Sequence, residues 1–334
     1  MKDKLITIAA CLVFLAGAAI FCYPLAKSWY YDYSTNHVLD SYKDEMKGLS
    51  KQTTEKIQMP SVSIDRISEN EDILPDLYEE MSLYNQTLYE NKQKDLTDPF
   101  SYESASFDLT EYGLSDNIIG YLTIPSMDVE LPVYLGANEE NLAKGAVHLG
   151  QTSLPIGGIN TNVVLAAHRG YQGIPMFRDI QKLKIGDLVA MTTPWDTLIY
   201  QVCKTEIILP DEINKILIQP GADMLTLFTC HPYRQNSHRY VVYCERTFGV
   251  EIDALKNVEE ETDASQNLEA ETEPSDNSTL QTETPGDDSS SFSQMEEGIS
   301  SSQQQILIDR YVPIAGILFL AILFIVCMIG LKKK

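Results

Sequence analysis

The chain has 334 residues, of which 44% are hydrophobic, and a formal net charge of -23. That length holds one domain of ordinary size with tails, or two small ones, and the apolar share supports a buried core. The charge excludes a nucleic-acid binder, which needs clustered Lys and Arg, and it is concentrated in residues 251–305, where 15 Asp/Glu stand against one basic residue, Lys256.

At the N-terminal end, Leu5–Tyr23 (LITIAACLVFLAGAAIFCY) is uncharged, is flanked by Lys2 and Lys4, and is long enough to cross a bilayer. Ala16-Gly17-Ala18 would suit a secretory signal, but no clean cleavage site follows the run, which favours a retained anchor. Residues 25–95 read as helical. Within them PDLYEEMSLYNQTLYENKQ (75–93) repeats Leu77, Met81, Tyr84 and Leu88 at spacings of three and four, an amphipathic pattern. DLTDPFSYES (95–104) reads as a loop because of Asp98-Pro99.

From about Asn117 the texture changes to short β-rich runs broken by Gly, Pro and Asn. Candidate strands are 118–124, 130–134, 163–168, 187–193, 198–208, 223–230 and 239–246, with short helices around Glu139–Lys144 and Met176–Leu183. Strands this short and this closely spaced predict a barrel or sandwich. Residues 251–305 are rich in Ser, Thr, Glu and Gln, cannot bury enough apolar surface to fold, and are expected to form a disordered tether. A second apolar span, Tyr311–Leu331, ends in Lys332-Lys333-Lys334. Positive charge at both extremes predicts a membrane hairpin with both ends inside and the intervening domain outside.

Cys11, Cys22 and Cys327 lie in the apolar spans, where cysteine behaves as a small hydrophobe, leaving Cys203, Cys230 and Cys244 elsewhere. Three is odd, so at least one is unpaired within the chain, and a Cys203–Cys244 disulfide is a candidate pairing. Cys230 closes the apolar run TLFTC (226–230) and is followed by HPYRQNSHR. A catalytic thiol needs a base or cation beside it. Among the five histidines, His231 is adjacent to Cys230 and on a strand points the other way. His238 diverges from Arg239 for the same reason, and His37 sits close to the N-terminal span. His168 ends VVLAAH just before Arg169-Gly170, well placed to line a rim, and His148 in GAVHLG is similar but in a less regular segment. If the stretch after Cys230 is a hairpin, Arg239 returns alongside Cys230 as a planar, permanently charged donor able to stabilise a thiolate or an oxyanion. Two blander readings compete. Cys230 could be a core residue at a strand end, or Cys230, His231, His238 and Cys244 could bind zinc, although they lack the paired cysteine spacing of structural sites.

The motif Thr226-Leu227-Phe228-Thr229-Cys230 resembles the TLxTC signature of sortases, with Arg239 and the upstream His168 standing where that family's arginine and histidine are expected. The resemblance runs from about Ile118 to Thr247 and includes GAVHLGQTSLPIGGINTNVVLAAHRG (145–170). Three features resemble class C, the pilin polymerases: Pro232-Tyr233 followed by Asn236-Ser237-His238-Arg239, the C-terminal apolar span, and Asp98-Pro99-Phe100, similar to the class C lid. His231 departs from the pattern, which has a small polar residue such as Thr there. No LPxTG-like motif precedes Tyr311, and Leu154-Pro155-Ile156-Gly157-Gly158 lacks the Thr, so the chain reads as the enzyme and not as its cargo.

The resemblance implies a mainly β fold, an eight-stranded sortase-type barrel with short helices and a helical N-terminal region between two transmembrane helices. The implied layout is an anchor or signal at 1–24, a helical region at 25–95, a lid at 96–104, the catalytic barrel at 105–250, the tether at 251–305 and a transmembrane helix at 311–331. It implies a membrane-bound transpeptidase with Cys230 as nucleophile, His168 as acid and base and Arg239 as carbonyl or oxyanion donor. Asp98 and Phe100 would act as a lid, and no cofactor is implied. The implied partners are LPxTG-bearing pilins or surface proteins. A wall-anchoring sortase, a surface cysteine peptidase and a non-enzymatic adhesin are the alternatives.

Overall fold

The structure, a computed structural model, describes residues 2–56, 73–94, 105, 107–171 and 174–249. Asp98 and Phe100, the acidic stretch 251–305 and the apolar span 311–331 lie outside them.

Among the described residues eight strands close into a barrel: β1 (Ile118–Ile124), β2 (Val129–Leu135), β3 (Ala146–His148), β4 (Thr161–Ala166), β5 (Leu188–Thr192), β6 (Thr197–Ile208), β7 (Asp223–His231) and β8 (His238–Arg246). Around the barrel the order is β1-β2-β3-β4-β7-β8-β6-β5, and β5 pairs back onto β1. Closure leaves no open sheet edge. The β2–β3 and β4–β7 pairs are parallel and the others antiparallel. The short helix α3 (Glu139–Lys144), capped by the Asn138 side chain accepting from the Asn141 amide at 2.9 Å, makes the β2–β3 crossover.

Period-two alternation divides the strands between two cores. Val163, Leu165, Leu225, Leu227, Tyr240, Val242 and Cys244 fill the barrel interior. Val164, Ala166, Phe228, Val241 and Tyr243 pack on the outer face with Tyr42, Leu142 and Ile216. At the β1–β5 seam the strands come so close that a Cβ on Gly120 would sit 2.0 Å from the Thr192 carbonyl oxygen, so closure requires glycine.

Two longer helices dress the barrel. The helix α1 (Lys2–Lys56) lays Tyr42 on β1, its hydroxyl donating to the Ile119 carbonyl at 3.1 Å, while Lys43 pairs with Glu130 at 2.5 Å. The helix α2 (Pro75–Glu90) buries Leu77, Met81 and Asn85. The Asn85 amide donates to the Leu154 carbonyl (3.1 Å) and its Oδ1 accepts from the Leu154 N–H (2.7 Å), fastening α2 across the pole where β4 begins. The periodicity marked this helix correctly but put Tyr84 and Leu88 in the buried stripe, where the structure leaves both half-buried and buries Asn85.

Other expectations change as well. Strand β3 was not foreseen, being three residues between Gly145 and Gly150. The helix expected at Met176–Leu183 is a single 3-10 turn at Ile180–Lys182, after Met176 takes a positive φ of 41° that no α-helix admits. Cys203 and Cys244 are both free thiols. A register shift between Val202 and Lys204 turns Cys203 outward while Cys244 points into the barrel, so they cannot meet. The stretch Leu5–Tyr23 forms part of α1, yet no helix among the described residues is long and apolar enough to cross a membrane. Membrane anchoring therefore rests on the sequence alone.

Candidate active site

Strands β4, β7 and β8 lie side by side, and their registers determine what meets at one pole of the barrel. The run Val163–Ala167 is apolar on both faces, as suits a strand buried between two cores, and it pairs in parallel with β7 as far as Ala166 opposite Phe228. The Ala167 amide still donates to the Phe228 carbonyl (3.3 Å), and the Thr229 hydroxyl donates to the Ala167 carbonyl (2.7 Å). The ladder ends there, and His168 and Cys230 are the next residues after the Ala167–Thr229 contact on either side. Gly170, at φ 84°, then turns the chain away.

On the other side of β7, Cys230 is the direct antiparallel partner of Arg239. Directly opposed residues share a face with Cβ atoms about 5 Å apart. The intervening turn is closed by the Gln235 and Asn236 amides donating to the Pro232 carbonyl, with Arg234 and Asn236 in the left-handed region. The Arg239 guanidinium braces it, Nη1 donating to the carbonyls of Asn236 (3.0 Å) and His238 (3.1 Å). His168, Cys230 and Arg239 thus form one row across three neighbouring strand ends, on the outer face of the barrel.

Arg239 is buried, and Cys230 is half-buried, so the thiol stays within reach of a ligand. His168 stacks on Tyr171 with ring centroids 4.8 Å apart and planes 11° from parallel. Burial holds its pKa below the ordinary histidine value of 6.5, so the neutral imidazole predominates at neutral pH. A thiol, a neutral base and a fixed cation in one row can support nucleophilic attack on an acyl carbon, with proton transfer and oxyanion stabilisation.

The remaining histidines are elsewhere. His148 is fully buried, with its Nε2 against the Ser153 carbonyl (2.9 Å) and its pKa depressed to about 4 by burial. His37 is exposed on α1 beside Ser41. His238 faces Ser237. His231 points to the inner face, where its Nδ1 accepts from Arg169 Nη1, and burial together with that guanidinium lowers its pKa to about 4. Cys230 and His231 thus look to opposite sides of the barrel wall, and the zinc set of Cys230, His231, His238 and Cys244 does not converge. Sequence reasoning missed Arg169. Its only signal was its position: the next residue after His168 on a strand must face inward, where a charge needs partners.

The family model for the Sortase domain matches residues 122–247. Sortase D of Bacillus subtilis is 30% identical over 130 residues, covering 38% of this chain and 63% of that protein. The chain spans between 52% and 63% of the curated relatives it matches. Among solved structures, sortase C of Streptococcus pneumoniae is 30% identical with a TM-score of 0.52, covering 64% of this chain and 98% of that one. Sortase C1 of group B Streptococcus pilus island 1 is 31% identical with a TM-score of 0.50, covering 62% and 93%. The chain belongs to the sortase family.

Proposed function

We propose that this protein is a membrane-anchored cysteine transpeptidase that cleaves LPxTG-type sorting signals and joins pilin subunits through lysine isopeptide bonds. The observation that carries this reading is the row His168–Cys230–Arg239 across β4, β7 and β8, which is the only part of the described barrel where a half-exposed thiol lies between a histidine and a buried arginine.

In the proposed reaction neutral His168 takes the Cys230 thiol proton, the resulting thiolate attacks the Thr carbonyl of the sorting signal, and Arg239 donates to the developing oxyanion. The Thr–Gly bond breaks, the glycine amine leaves with a proton from His168, and a thioester to Cys230 remains. His168 then takes a proton from the incoming lysine amine. That nitrogen attacks the thioester, an isopeptide bond forms and the thiolate is released. The residues used require no cofactor.

The class C assignment is supported by the sortase C structures that resemble the chain and by the Asp98-Pro99-Phe100 segment, with Asp98 proposed to pair with Arg239 and Phe100 to cover Cys230. Membrane anchoring is supported by the uncharged runs 5–23 and 311–331, which orient the barrel to the outside. The curated relatives include sortases A and D, which favours a second reading in which the thioester is resolved by a cell-wall amine and single surface proteins are anchored.

Incubating the protein with LPxTG-bearing pilins decides between them. Pilus polymerisation gives a ladder of high-mass products that Cys230→Ala abolishes without changing the fold. A single ligated product with a small amine supports the wall-anchoring reading, and release of free acid despite added amine would leave only a peptidase.

A further inference from the structure

The inner face of the same pole carries a second polar group that the reaction above does not use. Arg169 follows His168 just past the end of β4 and is 4% exposed. Its Nη1 donates to His231 Nδ1 and reaches the Cys230 carbonyl at 3.4 Å, and its Nη2 donates to Gln181 Oε1. Its guanidinium carbon lies 5.6 Å from the centre of the Tyr240 ring, and the His231 ring is 5.8 Å from Tyr240. Arginine has no acceptor, so His231 must present a bare Nδ1 and stay neutral for this contact to exist. Its burial beside a guanidinium has that effect.

Every anchor of Arg169 is tied to the outer row. Its backbone continues directly from His168, and its side chain grips the carbonyl of Cys230 and the residue after it. Tyr240 follows Arg239 on β8. The His168 carbonyl accepts from the Phe177 amide (3.1 Å), and Gln181 lies four residues further along the same segment. The regular β4–β7 ladder ends at Ala166–Phe228, two residues short of the reacting groups. Beyond that point the Ala167 amide, the Thr229 hydroxyl and Arg169 cross-link the two segments.

We propose that Arg169 is a positioning residue, clamping the end of β4 to the end of β7 from inside the barrel through His231 and the Cys230 carbonyl, so that His168 and Cys230 stay aligned on the outside. The departure of His231 from a small polar residue is then functional: its ring supplies the acceptor, on the inner face, that Arg169 needs at the neighbouring strand end. This rests on the transpeptidase reading for the meaning of the alignment, but not for its test. A misplacement of about 1 Å between reacting groups costs on the order of a hundredfold in rate.

The test measures alkylation of Cys230 by iodoacetamide against pH in the full-length protein, a readout that needs the His168–Cys230 alignment and no sorting signal. Arg169→Gln and His231→Leu are expected to move the labelling profile toward that of an ordinary thiol, as is His168→Ala. His231→Gln, which keeps an acceptor, is expected to restore it. Because Arg169 acts through His168, the double variant His168→Ala/Arg169→Gln should label like His168→Ala alone. With an LPxTG peptide, Arg169→Gln should lower kcat by roughly 10- to 100-fold and leave KM within about threefold. A wild-type profile in Arg169→Gln, or additive effects in the double variant, would overturn the proposal, as would a loss of labelling that only tracks the folded fraction by near-UV circular dichroism. If the wild-type protein reacts with no sorting peptide, the transpeptidase reading falls while the alkylation profiles still decide the role of Arg169.

Discussion

His168 illustrates how one contact sets the chemistry of a residue. The Tyr171 ring lies flat against the imidazole, and burial of the imidazole lowers its pKa. A lowered pKa leaves His168 neutral at neutral pH, and it protonates only as the pH falls below the ordinary 6.5. Removing the ring with Tyr171→Ala should re-solvate the imidazole and raise its pKa toward that value. The acid limb of the pH–rate profile for Cys230 acylation should then move to higher pH, with the alkaline limb unchanged. An unshifted acid limb would show that Tyr171 does not set the environment of His168. Strand alternation already disqualified His231 as a base in the sequence, and the structure does turn it to the inner face, against Arg169. What alternation could not supply was a partner for His231, since Arg169 is 62 residues away in sequence and is brought near only by the pairing of β4 with β7.

At the scale of elements, the β1–β5 seam closes the barrel, and Gly120 is where it is tightest. A methyl group there would overlap the Thr192 carbonyl oxygen, a backbone atom that cannot swing aside. Gly120→Ala should therefore destabilise the fold by about 3 kcal/mol, at the upper end of overpacking costs, measured by urea denaturation. The proposed active-site row lies on β7, β8 and just past the end of β4, away from the seam, so kcat of the folded fraction should be nearly unchanged. Long, apolar strands such as β6 and β7 were legible because alternation and length agree over nine to twelve residues. Strand β3 was not, because three residues carry no period. The parallel pairings were also hidden, since sequence order says nothing about β4 lying beside β7. The hairpin that brings Arg239 opposite Cys230 was legible from the turn residues between them.

The whole molecule carries two buried neutral histidines, and these tie its stability to pH. His148 and His231 have pKa values near 4 in the fold and about 6.5 when unfolded. The unfolded chain therefore binds more protons between those values. The stabilising contribution is fully present above about pH 6.5, is lost as pH falls toward 4, and amounts to roughly 3 kcal/mol per histidine at most. The Tm should fall across that window, and His148→Gln, which cannot titrate, should flatten the decline by about half. A Tm independent of pH in that range would contradict the buried neutral state.

The family assignment spans 122–247, and the helices α1 and α2 extend the packed structure beyond it. The transpeptidase reading turns on a covalent bond to one sulfur, and intact-mass analysis of the protein incubated with an LPxTG peptide tests it most directly. The account requires an adduct equal to the acyl portion of the peptide, released by hydroxylamine, mapped to Cys230 and absent in Cys230→Ala. A ligated product formed with no adduct at Cys230, or an adduct on Cys203 in its place, would contradict it.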